Sequence, residues 1–151
     1  MVAGMTPSTV KAGFISTVLD TGYHIKLAGG GHYNAAALCS KVVEIQMQIP
    51  AGVGITLNSL YINPHKFAFQ LPLWQEMHKE GLPIEGFCVT AGVLTTEKAV
   101  KIINSLKAAG IQHVAFKPGS IDGICPSISL QPITISLSSC IRHHLFEDFH
   151  H

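Results

Sequence analysis

Short apolar runs that end in glycine or a small polar residue alternate with stretches of helical periodicity along residues 1–117, and this alternation is the strongest constraint on the fold. Strands that alternate with helices pair in parallel, because each helix carries the chain back to the start of the next strand. The strand runs are MVAGM, HIKLAGG, GVGITLNSL, IEGFCVTAG and HVAFKPG. The third is apolar almost throughout, as a strand covered on both faces should be. Between them lie four predicted helices. The first starts near Pro7 and Ser8 and ends before Gly22, and the second runs from an Asn34 cap to Pro50. After a polar turn over 61–65, the third covers FAFQLPLWQEMHKEG with Pro72 near its first turn and Gly81 at its end. The fourth starts at Thr95 or Thr96 and stops at Gly110. The strand ends Met5, Gly29, Asn58, Ala91 and Lys117 are 24, 29, 33 and 26 residues apart. The rhythm fits an eight-fold β/α barrel and a doubly wound sheet equally.

The rhythm stops after Gly123. Residues 125–151 are rich in Ser and Ile and form an irregular tail, in which 133–139 alternates like a strand. The reading is therefore an α/β chain of about five βα units over 1–124, followed by that tail. With 151 residues it is the size of one domain. Only 13% of residues are charged, against about 25% in an average soluble domain, so little of the surface is charged. The net charge of +1 and the scattered Lys and Arg residues argue against nucleic acid and anionic lipid as partners. No apolar run approaches the roughly 18 to 20 residues that span a bilayer. The first residues do not read as a signal peptide, so the expectation is a cytoplasmic protein. Cys39, Cys88, Cys125 and Cys140 contain no CxxC pair and read as reduced, small apolar residues.

Ligands of parallel βα folds bind at the carboxyl ends of the strands. Here those ends read AGMT, AGGGHY, TLNSLY, VTAG and FKPGS. Glycines at Gly4, Gly30, Gly31 and Gly92, and the small Ala91, let backbone approach a flat ring or a phosphate. Tight turns alone would also explain them. His32 can stand over a bound ring as a proton donor, or it is a surface loop residue. Asn58 can offer its amide to a polar ring edge, or it simply ends a strand. Lys117 follows an apolar strand, where it serves an anion or an electron-rich ring atom unless it reaches solvent. The tail histidines His143, His144, His150 and His151 lack a scaffold, and no metal site is assigned. The sequence holds no GxGxxG after a strand, no GxxxxGK[ST] and no GxSxG.

The segments VAGMTPSTVKAGF, YHIKLAGGGHYN, GITLNSLYINP, FQLPLWQEMHKEGLPIEGFCVTAG and AAGIQHVAFKPGSIDGI resemble, in order, the enoyl reductase domain of the fungal-type fatty acid synthase beta subunit. The resemblance covers residues 1–124. It implies a partial TIM-type (β/α)8 barrel that holds FMN and passes a hydride from NADPH to a trans-2-enoyl chain on acyl carrier protein. It further implies that Gly4, Met5, Thr6, Gly30, Gly31, Asn58, Ala91, Gly92 and Lys117 line the flavin site and that His32 donates the proton. The related domain starts its first strand before Met1 and continues with further βα units, including a glycine-rich phosphate loop. The tail HHLFEDFH looks like the piece after that loop, so the resemblance implies a truncated barrel with open edges prone to self-association. Two other readings stand beside the reductase. One is a noncatalytic half barrel that docks on synthase subunits or on itself, and the other is a flavin oxidoreductase of the nitronate monooxygenase type.

Overall fold

The computed structural model describes residues 1–5, 8–92 and 94–118; the tail and its expected strand over 133–139 lie outside the described residues. Four strands form one parallel sheet in the order β1-β2-β3-β4, with β1 Lys26–Ala28, β2 Ile55–Leu60, β3 Ile84–Thr90 and β4 His113–Lys117. The expected first strand is reduced to a single parallel bridge between Val2 and Ile25 at the β1 edge. Strand order thus follows chain order across the sheet. A doubly wound sheet would instead reverse beside its first strand. One-way winding with right-handed crossovers places the helices on one face, so this α/β fold is compatible with part of a TIM-type barrel. Among the described residues the sheet does not close.

Helices α1 Ala12–Asp20, α2 Ala35–Gln46, α3 Pro64–Lys79 and α4 Thr96–Ala108 fill the crossovers. Asn34 caps α2 by accepting from the Ala37 amide at 2.8 Å, and Thr95 caps α4 through the Lys98 amide. Gly22, Gly81 and Gly110 leave α1, α3 and α4 with φ near +80 to +91, where a Cβ is strained. The start of α3 differs from the sequence expectation. Asn63 accepts from the Lys66 amide at 3.1 Å and Pro64 occupies the first turn, so the helix begins earlier and Pro72 falls inside it. Pro72 and Ala68, whose carbonyl it frees, are both exposed, so that carbonyl is not forced to lose its hydrogen bond in a buried setting.

The helix-covered face of the sheet is apolar. Leu57, Phe87, Val89, Val114 and Phe116 meet Leu38, Val42 and Ile45 of α2, Trp74 and Met77 of α3, and Ile103 and Leu106 of α4 in one core. The buried residues of α2 and α4 recur every three or four positions, the spacing that aligns one helical face. Trp74 donates its indole N–H to the Gly86 carbonyl at 2.9 Å, which satisfies the only polar atom of that buried ring.

Candidate functional site

The opposite face of the sheet carries polar side chains, and these are also buried. Lys26, Thr56, Asn58, Cys88 and Thr90 point to this face because they alternate with the core residues of the same strands. At its carboxyl end the Asn58 Nδ2 donates to the Gly4 carbonyl at 3.2 Å, and the Asn58 Oδ1 accepts from the Thr90 hydroxyl. The amide is therefore fixed in orientation, with one N–H and one lone pair free for a further partner. Gly4 must lack a side chain there: a Cβ would come within 2.6 Å of the Asn58 Cβ. Thr90 lies beside Lys117 in the β3–β4 register, and the Ala91 amide donates to the Lys117 carbonyl at 3.1 Å. Gly4, Asn58, Ala91 and Lys117 are thus joined through hydrogen bonds and close packing. Lys117 is half-buried, and Gly92 abuts the Tyr61 ring so closely that a Cβ would stand 2.5 Å from it.

Ala91 adopts φ +54, the only non-glycine among the described residues in the left-handed region. That conformation costs an L-residue about 1–2 kcal/mol, so strain is held at a strand end within the site. Met5 is exposed, and its backbone is tied to the buried Thr9: the Met5 amide donates to the Thr9 hydroxyl at 2.6 Å, and the Thr9 amide donates to the Met5 carbonyl at 2.8 Å. Thr6 lies outside the described residues.

The loop after β1 turns through a single 3-10 turn, Gly29–Gly31, and delivers His32. His32 is buried, and its Nε2 is the one buried side-chain polar atom without a hydrogen-bond partner among the described residues. Leaving such a group unpaired costs about 1–3 kcal/mol, so this atom stands out as one in need of a partner. Burial pushes the His32 pKa below the ordinary histidine value, with the Lys41 and Lys66 charges acting in the same direction. The imidazolium form is accordingly disfavoured.

A second polar group occupies the amino-terminal end of the same face. A bulge puts both Glu85 and Gly86 of β3 opposite Thr56, which swings the Glu85 carboxylate to this face. There it lies 3.2 Å from His24 Nδ1 and 3.6 Å from His113 Nε2, while His24 Nε2 pairs with the Thr56 hydroxyl at 2.8 Å. Burial lowers the His24 pKa, Glu85 opposes that shift, and the charges of Lys26, His113 and the amino terminus reinforce it. A cavity of about 260 Å³ lies among Met1, Lys26, Thr56, His113 and Ala115. A larger one of about 930 Å³ opens between the turns that precede the strands, near Tyr23, Pro50, Gly54 and Pro83. Both are remote from the strand ends where βα folds do chemistry. No group of three His, Cys, Asp or Glu among the described residues is disposed to hold a metal ion.

Sequence reasoning missed Thr90, Gln70, Lys66, Lys26 and Cys88. The Lys26 ammonium, buried, donates to the Cys88 thiol at 3.3 Å. Period-two alternation on β2 and β3 puts Asn58 and Thr90 on one face, but only the register makes them neighbours.

No family model matches the chain. Among curated proteins, fatty acid synthase 2 of Mycosarcoma maydis is 48% identical over 99% of the chain. The fatty acid synthase beta subunit aflB of Emericella nidulans is 40% identical, and the fatty acid synthase subunit beta of Schizosaccharomyces pombe 36%, each again over 99% of the chain. The chain is homologous to a segment of fungal fatty acid synthase beta subunits. It spans only 4–7% of the length of these three relatives, and the alignment takes in the tail as well as the βα units. No helix among the described residues is long and apolar enough to cross a membrane.

Proposed function

We propose that this fatty acid synthase segment belongs to an FMN-dependent enoyl-[acyl-carrier-protein] reductase and that the carboxyl ends of its strands form part of the flavin site. The observation that carries the reading is the buried, unpaired Nε2 of His32 on the loop that neighbours the Gly4–Asn58–Thr90 hydrogen-bond chain. When bound, FMN would relay a hydride from NADPH to the β-carbon of a trans-2-enoyl thioester. Asn58 would hold a polar ring edge through the N–H and lone pair that Gly4 and Thr90 leave free. Gly4, Gly30, Gly31, Ala91 and Gly92 would keep side chains out of the ring's path, and Met5 and Thr6 would also belong to the flavin-binding set. Lys117 would supply positive charge at the end of β4. His32 would be the proton donor to the α-carbon, and would take up a replacement proton from solvent after each transfer. A carrier-protein-bound substrate, contact with other synthase subunits and a cytoplasmic setting follow from the same reading.

Purified chain incubated with FMN is expected to turn yellow and to quench flavin fluorescence. A preparation that stays colourless and leaves the fluorescence unchanged sinks the reading for this chain. Given flavin binding, NADPH oxidation that depends on an enoyl thioester separates this reaction from a nitronate monooxygenase type of chemistry. His32→Ala should slow turnover by about 100-fold or more while retaining flavin.

One observation favours the noncatalytic alternative, in which the segment docks on synthase subunits or on itself. Among the described residues β4 pairs on one side only, and its other edge presents unpaired backbone groups. Light scattering distinguishes the two: a flavin-free oligomer supports docking, and a flavin-loaded monomer supports the reductase.

A further inference from the structure

The loop that carries His32 is held from outside, by one face of α3. Gln70, fully buried, donates its amide N–H to the Gly29 carbonyl at 2.8 Å, and its Oε1 accepts from the Ser59 hydroxyl at 2.7 Å. One turn earlier on the same helix face, the Lys66 ammonium donates to the Gly30 carbonyl at 2.6 Å and sits 3.8 Å from the centroid of the Tyr33 ring. The two side chains therefore bracket His32, gripping the Gly29 and Gly30 carbonyls upstream of it and the Tyr33 ring that follows it. The Gly29 carbonyl also accepts from the His32 amide at 3.1 Å, so Gln70 acts on His32 through one shared oxygen.

The glycines fit this grip. A Cβ on Gly29 would stand 2.8 Å from Gln70 Oε1 and 2.9 Å from the Asn58 carbonyl, and one on Gly31 would stand 2.3 Å from Val10 Cγ1. Backbone, not side chain, is thus pressed against α3 and the strand end.

We propose that Lys66 and Gln70 are positioning residues for His32, which clamp its loop and so fix the orientation of the buried imidazole, whose Nε2 has no partner among the described residues. This rests on the reading of His32 as proton donor. Lys66 has a second effect through its charge. The cations that face His32 are Lys41 from α2, whose ammonium pairs with Glu44, and Lys66 from α3, and both disfavour the imidazolium. The clamp therefore adds a smaller effect to burial, the main cause, in disfavouring the imidazolium.

Titration of the His32 ring resonances by NMR in the flavin-free full chain tests this. Lys66→Met is expected to raise the His32 midpoint toward the ordinary histidine value, and Lys66→Arg to restore it. Gln70→Leu should accelerate exchange of the His32 amide by about tenfold. If that variant does not fold, Ser59→Ala, which removes only the bond orienting the Gln70 amide, should produce a smaller acceleration. An unchanged midpoint in Lys66→Met together with unchanged exchange in the Gln70 or Ser59 variant overturns the clamp. These readouts need no flavin. A chain that never binds FMN would sink the reductase reading alone, and unaltered titration together with unaltered exchange in a chain that does bind FMN would sink the clamp alone.

Discussion

The two faces of the sheet are both largely buried and differ in chemistry: the helix-covered face is apolar except for the Ser59–Gln70 pair, and the other is polar. On the helix-covered face, Leu57, Phe87, Val89, Val114 and Phe116 gain stability from packing against α2, α3 and α4. On the other face, Lys26, Asn58, Cys88 and Thr90 are buried with their polar atoms bonded to one another. The first face is replaceable by any apolar set of the same volume. The second is not, because each polar group there depends on one partner at one angle. Folding is thus secured on one side of the strands, which leaves the other free to hold side chains chosen for chemistry.

Truncation of a core side chain offers the largest test of this division. Trp74→Ala should cost about 3–5 kcal/mol in urea unfolding, since it opens a cavity and strands the Gly86 carbonyl. A similar loss from Asn58→Ala would break the comparison. Asn58→Ala is instead expected to weaken flavin binding by about tenfold or more in fluorescence titration and to cost about 1–3 kcal/mol of stability. Acidification separates the faces further. The pKa values of His24 and His32 are lowered in the folded chain, so the unfolded chain takes up protons first as pH falls. Stability should therefore fall as pH drops below the ordinary histidine value near 6.5, by no more than about 1.4 kcal/mol per pH unit for each group, and level off below the folded values. His32→Asn should make the fall shallower, as followed by thermal melts across that range. The smallest effect is expected at Ala91: Ala91→Gly relieves the positive φ at some cost in unfolded-chain entropy, for a net gain of up to about 1 kcal/mol.

Alternation and capping were legible without coordinates. The β2, β3 and β4 cores, the Asn34 and Thr95 caps, and the exits at Gly22, Gly81 and Gly110 fall where residue chemistry predicts them, because each depends on contacts a few residues apart. The start of α3 was misplaced, because Pro72 reads as a helix entrance until Asn63 and Pro64 are seen to supply an earlier one. The first strand was over-read, since five suitable residues make one bridge at a sheet edge.

Which strand ends meet depends on the pairing of distant segments. One-way strand order, compatible with part of a TIM-type barrel, emerged only from the pairing of the strands, which no local periodicity encodes. Asn58 was singled out from sequence, but its partner Thr90 is 32 residues away and becomes a neighbour only through the β2–β3 register. His32 was legible as a candidate, whereas the face of α3 that grips its loop was hidden, because Lys66 and Gln70 read as ordinary helix residues until the fold lays them against the Gly29 and Gly30 carbonyls. The sequence alone thus determined the elements, which form through short-range preference. Long-range pairing determined the site, because its hydrogen bonds join residues that chain distance keeps apart.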